Sequence, residues 1–336
     1  MGPAGRNFCG GIDLISMVAI ANPSDVSTVS VRASQCPSGC ASRPSLLLRG
    51  PDRFHGRTDL YTLLRCPICS LVWIDSPPAP AEMGLHYGAA YDRSISSTGE
   101  ATAERWRERC ATIAKYKQEG RILDLGCSSG SFLSALPRDR WQLFGIEMSH
   151  QVAERARARC GATVFVGDVL DANFPPNYFD AITCIHVFEH VYKPKEVLLK
   201  IAEWLKPGGI FYTLMPNIDS AAFRFFKSYW YALELPRHLF HFSPRSLAYV
   251  ADSVGLNTLS LKTERQIFFE TSARYVLNDL LASVGIRRQP AATASPAGLP
   301  FRVVRKAFRL TLRPILDAAI GLGGDKEIIE GIFQKP

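Results

Sequence analysis

The run RILDLGCSSGSF, residues 121–132, does most to restrict the fold. An apolar stretch passes without a spacer into a turn bounded by Gly126 and Gly130, and a helical pattern follows over 130–136. A strand that hands over to a glycine turn and then to a helix opens a βαβ unit, and such units lay their strands parallel. The chain repeats this alternation. Apolar runs at 141–147, 162–166, 180–185, 209–215 and 257–263 read as further strands, with 326–333 as a last one. Helical patterns at 149–160, 194–206 and 243–254 fall between them. The expected class is α/β: a Rossmann-like, doubly wound, mostly parallel seven-stranded sheet with helices on both faces, preceded by a small N-terminal unit.

A chain of 336 residues suits one large domain with an appendage. Residues 1–34 lack periodicity and read as a poorly ordered extension. Residues 35–75 carry two cysteine pairs, and 76–120 hold a Pro-rich connector (SPPAPA) and a charged helical lead-in. The main domain spans 121–265. Residues 266–336 comprise C-terminal helices and the last strand, with an Ala/Pro linker at 286–300 and a basic amphipathic helix at about 301–320.

The glycine turn implies a ligand. Gly126 and Gly130 remove side chains where the backbone must turn tightly and approach it, and helix amides beyond Gly130 point towards it. Glu147 ends the second strand, where an acid can grip a ribose, and Asp168 follows the third, within reach of an exocyclic amine. The dinucleotide fingerprint G-x-G-x-x-G is absent. Asp124, just before the turn, would repel a pyrophosphate but suits a cationic amino-acid group. The expected ligand has a ribose and an adenine with a zwitterionic tail.

In this order ILDLGCSSG, GIEMS, GDV, FDAITCIHVFEHV (179–191) and LKPGGIFYTLMPN (205–217) resemble the motifs of the class I S-adenosylmethionine-dependent methyltransferases. The resemblance covers about 120–265. Ser128 stands where a middle glycine is usual. The resemblance implies S-adenosyl-L-methionine as cofactor. Asp124 and the turn from Gly126 through Cys127 and Ser128 to Gly130 would hold its methionine part. Glu147, with Met148 beside it, would bind the ribose hydroxyls, and Asp168 and Val169 the adenine. His186 would approach from the fourth strand, and Glu189 and His190 would shield the pocket. Singly, each acid has an ordinary alternative as a turn former or helix cap.

Nine cysteines, several of them inside apparent strands or helices, argue for thiols in a reducing compartment and hence a cytoplasmic location. Cys36-x3-Cys40 and Cys66-x2-Cys69 have the spacing of a closed four-thiolate Zn2+ site with a structural role; unrelated free thiols are the alternative. A cysteine knuckle ahead of this domain is similar to a bacterial subset acting on sugars and other small biosynthetic intermediates. The counterparts here are RCPICSLVW, SPPAP and LHYGAAYD (85–92), in which Tyr87 and Tyr91 would close over the site or pack on a helix.

LPRHLFHFSPRSL (235–247) sets His238 and His241 three apart. Metal ligands, catalytic bases and packed side chains are all open readings. Metal ligation by this pair lacks a third ligand nearby in sequence. The family subset carries a similar RHLxHFS run, which makes His241 or His238 the candidate catalytic base. The aromatic-rich segment 217–243 would be a lid over a flat acceptor, or a packed stripe of Phe223, Phe226 and Trp230.

The expected activity is methyl transfer to a small-molecule acceptor, a sugar or secondary-metabolite hydroxyl or carbon. A nucleic-acid methyltransferase would need an N-P-P-[YF/W] or D-P-P-Y tetrapeptide where IHVFEH stands. A cofactor-binding scaffold fits poorly with intact acids and glycines. Net charge of +8 reads as solvated faces, concentrated at 287–313, with peripheral membrane contact by the basic helix as a second reading. No apolar run is long enough to span a membrane. Residues 11–21 resemble a signal core only faintly, because Asp13 interrupts them. The acceptor atom and the oligomeric state are not legible.

Overall fold

The computed structural model describes residues 35–87, 100–264, 269–283 and 326–336. The N-terminal extension, Tyr91, the 286–300 linker and the basic helix at 301–320 lie outside them.

Seven strands form the central sheet: β4 (Gly120–Leu125), β5 (Trp141–Glu147), β6 (Thr163–Val166), β7 (Phe179–Ile185), β8 (Leu205–Pro216), β10 (Asn257–Glu264) and β11 (Ile328–Gln334). Their order is β10-β11-β8-β7-β4-β5-β6. β4 pairs in parallel with β5 and β7, and the parallel set continues through β5–β6 and β7–β8. β11 runs antiparallel to both β8 and β10. The sheet is therefore mostly parallel and seven-stranded, as the alternation implies. Strand order reverses between β4 and β7, and the crevice beyond their carboxyl ends is where such sheets bind ligands.

The longer helices are α1 (Glu100–Ala114), α2 (His150–Cys160), α3 (Pro194–Trp204), α4 (Ala221–Phe226), α5 (Pro244–Asp252) and α6 (Phe269–Ser283), and a single helical turn, Pro80–Met83, precedes them. α2 starts on Ser149, whose hydroxyl accepts the Val152 amide, and stops at left-handed Gly161. α5 starts on the Ser243 capping box with Pro244 in its first turn. The helix expected at 130–136 is absent: only a short 3-10 turn, Leu133–Ala135, follows the glycines. Pro137 holds Leu136 extended and leaves no room for a second helical turn.

β1 (Ser45–Pro51), β2 (Leu60–Arg65) and β3 (Val72–Asp75) form an antiparallel sheet in the cysteine-bearing unit. Its fourth strand, β9 (Phe240–His241), comes from the long segment after β8 and pairs Val72 with His241 and Trp73 with Phe240. The unit is thus stitched to the main domain. One apolar core runs from the four cysteines and Trp73 through Leu239, Phe240 and Phe242 to Phe188 and the central sheet. Phe223, Phe226 and Trp230 pack with Leu63, Val72 and Ile74 in another cluster. They are a packed stripe, and the lid expectation for 217–243 is corrected: the apolar faces of β2 and β3 need this cover.

Gly130 shows how closely the turn abuts α2. Its φ is +73°, and a Cβ there would meet Cys160 Sγ at 3.0 Å and the Ala156 Cα at 3.1 Å. Gly130→Ala should destabilise the fold by about 2–4 kcal/mol, from left-handed strain plus overpacking. A chemical-denaturation midpoint checks this, and an unchanged midpoint would refute it.

Candidate functional site

The crevice is built from strand ends. Asp124, next to last on β4, is 4% exposed, and its Oδ1 accepts the Thr183 hydroxyl of β7 at 2.6 Å. Burial pushes its carboxyl up to about 7, the Thr183 hydrogen bond opposes that, and nearby Glu147 adds to it. Thr183 carried no sequence signal, because threonine in a buried strand is an ordinary β former.

The turn then bends through three left-handed residues, Gly126 (φ +67°), Ser128 (φ +47°) and Gly130. At Gly126 only glycine fits: a Cβ would come within 2.5 Å of Val187 Cγ2. Glu147 at the end of β5 is buried, and its two oxygens accept separate amides. Oε2 takes Ser128 N–H and Oε1 takes Ser149 N–H, each at 3.0 Å. Burial pushes Glu147 up and the amides pull it down, with burial prevailing. A carboxylate oxygen has two lone pairs, so each keeps one for a hydroxyl beyond the amides.

Asp168 is exposed after β6, its Oδ1 accepting Leu170 N–H at 2.8 Å; Val169 beside it is buried, and Met148 is exposed. His186 has φ +55° at the end of β7, gives its N–H to the Leu214 carbonyl at 2.9 Å and is part-exposed. Cys127 is a correction to the sequence expectation. Its amide is taken by the Ile146 carbonyl at 3.0 Å, and its thiol packs into the core against Gly145. It has neither group free for a ligand, because the turn must present Ser128 and not Cys127 to Glu147.

Beyond β7, residues from three regions meet. Glu189 and His190 follow the strand; His190 gives Nδ1–H to the Arg237 carbonyl at 3.0 Å, and Tyr87 Oη lies 3.4 Å from the same nitrogen. Burial, then His238, pushes the His190 imidazole down to about 4, so it is neutral near pH 7. His238 gives Nδ1–H to the Ala232 carbonyl at 2.9 Å, and its ring centroid lies 4.6 Å from that of His190. His241 is in β9, buried, with Nε2–H on the Leu233 carbonyl at 3.0 Å, and burial pushes it down to about 3. His238 joins the group around Glu189, and the His241 ring lies next to it, 6.2 Å from the His238 ring.

Arg237 is fully buried behind these rings. Nη1 donates to the His86 carbonyl at 3.1 Å and lies 3.8 Å from Asp52, while Nε lies 3.4 Å from Glu234. Asp52, also fully buried, accepts both the N–H and Nδ1–H of His55. The network has no mark in the sequence, since Asp52 and Arg237 lie far apart in the chain and are brought together by tertiary contacts such as the β3–β9 pairing and Arg53 on the Ser228 carbonyl.

The four cysteines converge as their spacing implies. Cys36, Cys40, Cys66 and Cys69 are all buried with their sulfurs within 4.8 Å of one another, and Cys36 Sγ lies 3.6 Å from Cys69 Sγ. That contact is close to the roughly 3.8 Å edge of a zinc-thiolate tetrahedron with bonds of about 2.3 Å. Cys66 opens a tight turn, taking Ser70 N–H on its carbonyl, with Ser70 left-handed at φ +65°. The donor set fits zinc.

Residues 97–261 match the methyltransferase-domain family. A ubiquinone biosynthesis O-methyltransferase of Vibrio cholerae is 32% identical over 111 residues, which cover 31% of this chain and 45% of that protein. A Yersinia pestis enzyme of the same description is 30% identical over 110 residues, 30% of this chain and 46% of its own length. The chain thus spans less than half the length of these curated relatives. Among solved structures, the [4+2]-cyclase SpnF is similar at 19% identity and a TM-score of 0.47, covering 72% of this chain and 83% of that one. A phosphoethanolamine N-methyltransferase of Haemonchus contortus is similar at 18% identity and a TM-score of 0.44, covering 69% and 53%.

Proposed function

We propose that this chain, whose residues 97–261 belong to the methyltransferase-domain family, transfers a methyl group from S-adenosyl-L-methionine to a small-molecule acceptor. The observation that carries the reading is the pair of buried carboxylates, Asp124 and Glu147, at the switch point of the sheet. A pyrophosphate cannot sit there, whereas an ammonium and a ribose diol can. Glu147 takes the ribose hydroxyls on the lone pairs its amides leave free. Asp124 takes the ammonium, and Gly126 to Gly130, with Ser128, wrap the methionine part. Asp168 reaches the adenine amine between Met148 and Val169, and His186 closes the pocket from β7.

When bound, the cofactor supplies an electrophilic methyl on a sulfonium. The protein's task is to align the acceptor in line with that bond and to keep water out. Tyr87, Glu189, His190 and His238 form the polar wall beyond β7 on which an acceptor hydroxyl would be oriented, so His238 remains the acceptor-side histidine and His241 does not. The O-methyltransferase relatives favour a hydroxyl acceptor. A structural zinc on Cys36, Cys40, Cys66 and Cys69 belongs to the same reading. Cys110, Cys127, Cys160 and Cys184 are free thiols, which suits a reducing compartment such as the cytoplasm. Among the described residues no helix is long and apolar enough to cross a membrane.

Isothermal titration with S-adenosylhomocysteine tests the reading, and a parent protein that does not bind would sink it. The pH dependence tests Asp124 itself. Its carboxyl sits near 7 in the free protein, so below that pH the ammonium must displace a proton, and above it none. Affinity should weaken about tenfold between pH 8 and pH 6, with one proton released per cofactor bound at the acid end, and fall again at alkaline pH as the ligand's own ammonium loses its proton. Asp124→Asn should remove this slope together with most of the affinity.

A further inference from the structure

Glu189, His190 and His238 form a second ligand-like cluster apart from the cysteines. One donor atom from each lies within 4.8 Å of the others. Glu189 is 1% exposed, and neither carboxylate oxygen has a hydrogen-bond partner. His186 Nδ1 forms an ion-pair contact with it at 3.6 Å, longer than a normal hydrogen bond. A buried carboxylate so sparsely partnered is costly unless it coordinates a metal.

The two imidazoles are set for coordination. His190 gives its Nδ1 hydrogen to the Arg237 carbonyl and His238 gives its own to the Ala232 carbonyl. A carbonyl can only accept, so each ring carries its hydrogen on Nδ1 and its lone pair on Nε2. A main-chain carbonyl on the far nitrogen is the device that fixes the tautomer and orientation of a metal-binding histidine. Glu234 lies 3.8 Å from His238 Nε2 and adds a second acid beside the cluster. Arg237 is already held by two other carboxylates, Asp52 at 3.8 Å and Glu234 at 3.4 Å.

We infer that Glu189, His190 and His238 bind a first-row divalent cation. Two imidazoles and one carboxylate suit manganese, iron, cobalt or zinc better than magnesium or calcium. Three protein ligands leave a coordination position open to an outside oxygen. An acceptor hydroxyl placed there would lose its proton more readily, a use that rests on the methyl-transfer reading. Binding of the ion does not.

Titration of the full chain with Mn2+, followed by the paramagnetic signal of the free ion, should show about one site per chain. Glu189→Gln and His238→Gln, which nearly conserve volume, should each weaken it at least tenfold, with circular dichroism and melting temperature confirming that each variant is folded. Co2+ should enter the same site without the thiolate charge-transfer band that marks the cysteines. A parent protein that holds neither Mn2+ nor non-thiolate Co2+, or two folded variants that bind as tightly as the parent, would overturn the inference. A chain that binds Mn2+ but not S-adenosylhomocysteine would overturn the methyl-transfer reading and leave this one standing.

Discussion

Glu147→Ala should reduce S-adenosylhomocysteine affinity by two orders of magnitude or more. Two hydroxyl-to-carboxylate hydrogen bonds would be lost, each worth about 1.5–3 kcal/mol because the acceptor is charged. The Ser128 and Ser149 amides would lose their acceptor in the same step. The combined loss is about 3–6 kcal/mol, or roughly 10²- to 10⁴-fold in affinity. Glu147→Gln separates charge from shape. Its carboxamide presents one oxygen and one NH2, so one of the two backbone amides would face a donor, and most of the affinity should still go. Folding should survive either change, because a buried acid held above its usual range is itself unfavourable to the fold. Titration calorimetry reads both variants. If the parent binds and Glu147→Ala binds within about fivefold, the ribose is held elsewhere, and the β5 carboxylate serves only to pin the turn.

The parts of this molecule that follow from local pattern were legible before any coordinates. β4, β5 and β6 are short apolar runs ending at a glycine or an acid, and the parallel order follows from helices interposed between the strands. Glu147 and Asp124 were legible because a strand end is a fixed place in such a unit. The failures share a physical cause. Pro137 lies just past the expected helix at 130–136 and holds Leu136 extended, which cuts a seven-residue helical pattern to a single 3-10 turn. The two histidines of HLFH looked equivalent because they share a sequence neighbourhood. The structure distinguishes their backbones: His241 lies in the two-residue strand Phe240–His241 opposite Val72, and His238 lies before it in the cluster with Glu189 and His190. Thr183, Asp52 and Arg237 act through partners far away in the chain, and nothing in their own neighbourhoods marks them.

Cys66→Ser tests the proposed zinc at the N-terminal sheet, and its effect should reach well beyond that sheet. Zinc content should fall from about one per chain to near zero, since a serine hydroxyl is a poor replacement for a thiolate in a four-sulfur site. The loss is structural as well as chemical. Cys36 and Cys40 precede β1, while Cys66 and Cys69 form the turn between β2 and β3, so an ion on the four sulfurs would close the sheet at one end. β3 in turn holds β9, and with it the segment carrying Arg237 and His238. Without the ion the Trp73–Phe240 and Val72–His241 pairing loses its support, and the buried Asp52–Arg237 contact with it. Removing one partner of such a buried pair costs about 3–5 kcal/mol. The expected result is a lowered melting temperature and raised protease sensitivity over 35–75 and 217–243, while the central sheet stays folded. Acid should have the same effect by protonating the thiolates, because zinc binding releases protons and weakens as pH falls. A parent protein that is zinc-free and yet folded would refute the metal reading. A variant that loses zinc with no change at 217–243 would show that β9 holds its place without help from the cysteine unit.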